Sequence, residues 1–262
     1  MRVLVCIKQV PDTTRVKIDE TTGALVRGGV DSKTNVYDLH ALEAALALRA
    51  EQDCHITALT MGPPQAEAAI AEALALGADH GCLLSGSAFA GADVLATSYA
   101  LAQAALKLGG FDLILCGKQT TDGDTAQVGP ALAEHLGIPH AAWVTEISGL
   151  TAGAVTIAQD MGERTQRVRL PLPCLLTVEK GPGTPRLPSF RRRKALTGAA
   201  ISHLSLADLP DNWPDRYGAD GSPTRVERIF PPPASEGSIL LEGDADTLSS
   251  ALLDALAARK LI

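Results

Sequence analysis

Short apolar runs alternate with longer alanine- and leucine-rich segments from the N-terminus onward. Residues 3–7, 55–61, 82–84 and 111–116 read as strands, and residues 38–50, 64–76 and 93–108 as helices, the second of these beginning with a proline. A further helix is predicted over residues 131–137, ending at a glycine C-cap, Gly137. This β-α-β-α rhythm predicts an α/β fold with a doubly wound, mostly parallel sheet covered by helices on both faces. In such a sheet the first and fourth strands are neighbours where the strand order reverses, and ligands bind beyond their carboxyl ends. Those ends are Cys6-Ile7-Lys8-Gln9 and Cys116-Gly117-Lys118-Gln119, with Met61 and Gly62 at the edge of the same crevice.

Between the fourth strand and its helix lies a glycine-punctuated polar loop, residues 117–130. A helix start there offers unpaired backbone N–H groups and the positive end of a dipole, which suits a phosphate. Gly123 allows close approach to the backbone, Asp124 and Thr125 can cap the helix or bond ligand hydroxyls, and Pro130 costs little in a first helical turn. The competing reading of Asp-Gly-Asp is a turn with an aspartate cap.

After Pro139 the pattern changes. Residues 143–147, 154–159, 164–170 and 174–178 read as strands with tight turns, an antiparallel extension of the sheet. From residue 181 prolines multiply, while Leu204, Leu206, Leu209, Trp213, Ile229 and Phe230 remain, and residues 245–261 look helical. The predicted division is a nucleotide-binding domain over residues 1–180 and a docking loop with a C-terminal arm over residues 181–262.

Composition narrows the class. A net charge of −7 and 3% aromatics argue against nucleic-acid binding, although Arg191-Arg192-Arg193-Lys194 is a local exception. No apolar stretch is long enough to span a bilayer and the first residues enter a strand without a signal-peptide pattern, so a cytoplasmic protein without membrane insertion is expected. The five cysteines show no Cys-x-x-Cys and no histidine partners, so no metal site is expected, and no nucleophile either. A Ser-Gly-Gly or Walker phosphate loop and an early Gly-x-Gly-x-x-Gly are missing, against a nucleotide-hydrolysing enzyme or an NAD dehydrogenase.

Four segments, residues 5–12, 61–66, 73–79 and 117–130, together resemble the beta subunit of electron-transfer flavoproteins, in the family's order over roughly residues 1–190. The resemblance implies a fold of the adenine-nucleotide alpha-hydrolase-like type. It also implies a heterodimer with an alpha subunit and an electron carrier in which flavin does the chemistry, with no catalytic acid, base or nucleophile. Its partners are then a flavin-dependent dehydrogenase and, as candidate redox partners, NADH and ferredoxin or flavodoxin. The crevice holds AMP in one group of the family and a second FAD in the electron-bifurcating group. The loop here, with Gly123 and Ala126 small enough to admit a pyrophosphate, is similar to the bifurcating form, as is the segment 89–98.

Carried over by position, the resemblance places the adenosine end at Cys6, Lys8, Asn35, Met61 and Gly62. The strand end Cys116, Gly117 and Gln119 leads to the phosphates, which meet Gly123, Asp124, Thr125, Ala126, Gln127 and Val128. Asp93 and Thr97 lie near the added flavin; taken alone, Asp93 reads as a helix cap. Leu187 and Phe190 occupy the place of a partner-docking segment. The chain departs from the family pattern at Val36, where proline is common, and at Arg191–Lys194. The alternatives are an AMP-binding beta subunit and a stand-alone nucleotide-binding stress-type module.

Overall fold

A computed structural model describes residues 1–12, 32–181, 183–196, 201–227 and 239–262. The described chain divides into two compact units, one extending through Glu227 and one holding residues 239–262.

The first unit is built on β1 (Arg2–Cys6), β2 (Gln9–Pro11), β3 (Ser32–Thr34), α1 (Val36–Glu51), β4 (His55–Met61), α2 (Glu67–Leu76), β5 (His80–Leu84), α3 (Val94–Lys107), β6 (Leu113–Gly117) and α4 (Val128–Leu136). It continues with β7 (His140–Thr151), β8 (Ala154–Asp160), β9 (Thr165–Pro171), β10 (Cys174–Val178), α5 (Phe190–Ala195) and β11 (Ile201–Leu204). Nine strands form one sheet in the order β11-β5-β4-β1-β6-β10-β7-β8-β9, parallel from β11 to β7 and antiparallel in β8 and β9. β1 and β6 are parallel neighbours, with Cys6 opposite Cys116, as the reversal of strand order requires.

Each face of the sheet has its own core. Val3, Val5, Leu113, Leu115 and Leu176 pack against α1 and α2 on one side, and Leu4, Ile114, Cys116 and Leu175 against α3 and α4 on the other. Alanines line the buried sides of these helices, which lets their backbones lie close to the sheet. Gly137 ends α4 in the left-handed conformation expected of a glycine cap (φ 64°).

Two features differ from the sequence expectation. β10 does not follow β9 at the sheet edge; it returns to lie parallel between β6 and β7. The reason is its side chains: all five residues of β10 are buried, which only a strand covered on both faces can achieve, whereas most of β9 is exposed. The predicted start of the arm at residue 181 also differs. β11 pairs with β5, and Leu209 and Tyr217 sit in the α3/α4 core, so residues 201–227 belong to the first unit. Tyr217 is held there by its hydroxyl, which donates to the Asp211 carbonyl, and by edge-on contact with Phe89 (centroids 5.6 Å apart).

The second unit contains α6 (Ala245–Ala258), capped by Asp244, which accepts from the Thr247 N–H at 2.9 Å. None of the α6 residues is buried, and Leu252 and Leu253 are exposed. Ile229 and Phe230 fall outside the described residues. No helix among the described residues is long and apolar enough to cross a membrane.

Candidate functional site

The carboxyl ends of β1 and β6 are joined by polar side chains that arrive from the start of α1. The β2–β3 ribbon brings the chain back so that the Asn35 N–H donates to the Lys8 carbonyl at 2.8 Å. Asn35 is fully buried, and its side-chain amide clamps the loop after β6: Nδ2 donates to the Gln119 carbonyl (2.8 Å) and Oδ1 accepts from the Thr121 N–H (3.2 Å). Lys8 reaches the same loop, with its ammonium 2.7 and 2.9 Å from the two oxygens of Asp122. Burial raises the Asp122 carboxyl, but the hydrogen bond and charge of Lys8, with the bonds from Thr120 and Gly123, together hold it below the ordinary value of 3.8.

Asp38, in the first turn of α1, makes the deepest connection. One carboxylate oxygen accepts from the Lys8 N–H at 2.8 Å and the other from the Gly117 N–H at 3.2 Å, so a single buried side chain ties both strand ends. Gly117 is required for this contact, because a Cβ there would lie 2.3 Å from an Asp38 oxygen. Sequence reasoning assigned Asp38 only to the beginning of a helix. Its position three residues after Asn35 was the available signal.

Gln119 Nε2 donates to the Asp124 carboxylate, and the Asp124 N–H to the Thr120 carbonyl at 3.0 Å. Asp124 and Ala126 both adopt positive φ (52° and 56°), a conformation that non-glycine residues hold only where surroundings impose it. Among the described residues, the N–H groups of Thr125, Ala126, Gln127, Val128 and Gly129 have no protein acceptor. Gln127 precedes α4 without a side-chain cap, so its side chain does not take up these donors at the helix start. Gly129 seats that helix on the sheet, since a Cβ there would lie 2.5 Å from the Thr177 methyl. Gly123 is different: an added Cβ would meet only Thr120 Oγ1 at 3.5 Å, so nothing in the chain itself demands glycine there. This donor set, in an exposed loop with no bulky side chain at Gly123 or Ala126, fits a phosphate or pyrophosphate.

The structure therefore brings together Cys6, Lys8, Asn35, Cys116, Gly117, Gln119 and the loop from Gly123 to Val128. Met61 ends β4, the neighbour of β1, and Gly62 follows it, with its N–H donating to the Leu84 carbonyl at 3.1 Å. Asp93 and Thr97 stand apart at the start of α3, and no hydrogen bond joins them to the loop among the described residues. Both Asp93 oxygens are engaged, one capping the Ala96 N–H (3.1 Å) and the other accepting from the Thr224 N–H (3.1 Å) and hydroxyl (2.7 Å). Lys118 turns away from the loop to Glu179 at 2.5 Å and lies 4.8 Å from the Trp143 ring centre.

All five cysteines are buried and unpaired. Burial pushes the Cys82 thiol up to about 12 and the Cys174 thiol up to about 11, while the hydrogen bond with Cys6, followed by burial, raises Cys116. Thiols so disposed stay protonated at neutral pH and are poor nucleophiles. Among the described residues no group of His, Cys, Asp and Glu side chains has the arrangement of a metal site.

Leu187 and Phe190 lie beyond β10 and are 89% and 80% exposed. Their segment is nevertheless fixed. Arg186 forms two side-chain bonds to Glu43 (2.7 and 2.8 Å), the Ser189 N–H donates to the Ala75 carbonyl at 3.0 Å, and the Ser189 hydroxyl caps α5.

Comparison with known proteins agrees with this architecture. Residues 22–208 match the electron transfer flavoprotein domain. The chain is 42% identical to the electron transfer flavoprotein subunit beta of Megasphaera elsdenii over the whole of both chains. It is 40% identical to Protein FixA of Bradyrhizobium diazoefficiens, covering 98% of this chain and 91% of that one. It is also 42% identical to the caffeyl-CoA reductase-Etf complex subunit CarD of Acetobacterium woodii, covering 93% and 92%. With sheet order, crevice and full-length similarity in agreement, the chain belongs to the electron transfer flavoprotein family, among its beta subunits.

Proposed function

We propose that this chain pairs with an alpha subunit, holds FAD in the crevice between β1 and β6, and carries electrons between a flavin-dependent dehydrogenase and a second acceptor by electron bifurcation in the cytoplasm. The observation that carries the reading is the row of N–H donors from Thr125 to Gly129 at the start of α4 that have no protein acceptor among the described residues, in a loop with Asp124 and Ala126 at positive φ. When bound, FAD supplies the one- and two-electron chemistry. The protein's part is to bind and orient: the loop amides take the phosphates, Asn35 and Lys8 hold the loop against β1, and the small residues at 123 and 126 leave room for two phosphates.

Leu187 and Phe190 form the docking point for the dehydrogenase. An apolar pair on a tethered segment loses little freedom on binding, and the adjacent Arg191, Arg192, Arg193 and Lys194 favour an acidic rim around the partner's pocket. NADH and ferredoxin or flavodoxin are the redox partners that bifurcation requires. The similarity to a subunit of a caffeyl-CoA reductase-Etf complex supports a dehydrogenase partner of this kind.

The test is the nucleotide released from the copurified heterodimer. FAD at about two per heterodimer is the expected result. One FAD with one AMP would instead make the crevice an AMP site and remove bifurcation from the account.

A further inference from the structure

We propose that Asp38 is the positioning residue of the crevice: its ionised carboxylate fixes the ends of β1 and β6 relative to each other and thereby sets the affinity for a nucleotide. The inference rests on the nucleotide reading above. Asp38 is buried at the carboxyl ends of β1 and β6, yet it belongs to neither strand. Its two oxygens are divided between them, one on the Lys8 N–H and one on the Gly117 N–H, and Gly117 lacks a side chain where the carboxylate lies. The residue after Gly117 starts the segment that Asn35 clamps at Gln119 and Thr121, so a shift of the β6 end moves the phosphate loop with it.

The charge state decides how well this tie holds. An ionised carboxylate accepts at both oxygens, whereas a protonated one turns an oxygen into a donor facing an N–H. Burial pushes Asp38 up to about 7, against the hydrogen bonds from Asn35, Lys8 and Gly117 that favour the ion. Among the described residues, the charged and titratable groups coupled to it are Lys8, two residues beyond β1, and Cys116 from β6. Lys8 is committed to Asp122, and Cys116 is raised and neutral, so neither removes the dependence on Asp38 itself. Because folding raises this carboxyl, the folded chain binds its proton more readily than the unfolded chain; the ion, and the tight crevice, prevail only above about pH 7.

Adenosine is the probe for pH dependence, because it lacks phosphates whose repulsion from an ionised Asp38 would act in the opposite sense. In the full-length wild-type chain, the backbone amide resonances of Lys8 and Gly117 are expected to follow one shared titration between about pH 5 and pH 9, with adenosine binding about tenfold weaker on its acid side. Asp38→Asn keeps the shape but places a donor against one of the two N–H groups. It is expected to weaken FAD binding at neutral pH by at least about tenfold and to flatten the adenosine profile. FAD binding by Asp38→Asn equal to wild type, or adenosine affinity that stays constant across the shared amide titration, overturns the inference. The wild-type arm decides should the variant fail to fold. A wild-type chain that binds neither adenosine nor FAD overturns the nucleotide reading instead.

Discussion

The loops after β6 and β10 leave adjacent strands of the same sheet, yet they expose opposite chemistry. After β6, Asn35 holds the loop backbone, Asp122 is paired with Lys8 and Asp124 with Gln119, and among the described residues the backbone N–H groups of Thr125 to Gly129 have no protein acceptor. After β10, Arg186 and Ser189 are spent holding the segment down, and Leu187 and Phe190 project. Both segments are pinned by polar contacts; what each leaves unpaired differs. Open amide donors suit a small anion, whereas two exposed apolar side chains suit a protein pocket. The polar groups that draw the eye in sequence, Lys8 and Asp122 or the arginines, are in part fasteners, and the binding groups are what the fasteners leave free.

The largest effect that can break this contrast is expected from Gly123→Asp. Its side chain puts charge and bulk where the proposed phosphate site lies, while its Cβ meets only Thr120 Oγ1 at 3.5 Å. FAD content of the heterodimer should fall by about a hundredfold or more, with thermal unfolding shifted by no more than the roughly 0.5 kcal/mol typical of surface changes. Unchanged flavin content in that variant would show that the loop does not cradle phosphate.

Leu187→Ala and Phe190→Ala should leave flavin content untouched and raise the dehydrogenase concentration needed for half-maximal electron transfer, by about tenfold for the more important of the two. Steady-state transfer at varied dehydrogenase concentration measures it. Wild-type behaviour from both variants would place docking elsewhere.

A smaller effect in the same direction is expected from Glu43→Ala, which frees Arg186 and loosens the segment without touching the docking side chains. The exposed half of this pair limits its worth to about 1 kcal/mol. The pH dependence follows from Glu43, which the Arg186 hydrogen bond holds below the ordinary value of 4.5. A depressed carboxyl contributes fully above the unfolded value, so the pair's contribution to docking should be constant above about pH 4.5 and be lost as pH falls through the lower folded value. Equal docking by Glu43→Ala and wild type at neutral pH would show that the tether does not matter.

Much of the fold was legible because its signals are local. The unbroken apolar run at the N-terminus, Pro130 near the start of α4 and Gly137 at its end each restrict the backbone over a few residues, and the alternation of runs gave the parallel sheet and its point of reversal. What was not legible depends on distant partners. Asp38 looks like any acidic residue at a helix start until Gly117 brings the β6 end against it. Residues 201–227 look like an arm because prolines and sparse leucines give no periodicity, and it is the pairing of β11 with β5 and the packing of Leu209 and Tyr217 against α3 and α4 that reveal their place. Asp93 shows the reverse case: the cap was readable from sequence, but not that Thr224 would occupy its second oxygen.

The most direct test of the central claim is a crystal structure of the copurified heterodimer with its nucleotides retained. The account predicts phosphate oxygens within hydrogen-bonding distance of the amides between Thr125 and Gly129, with the adenosine end over the carboxyl ends of β1 and β4. A nucleotide bound away from this loop, or protein groups filling those amides once the alpha subunit is present, would contradict it.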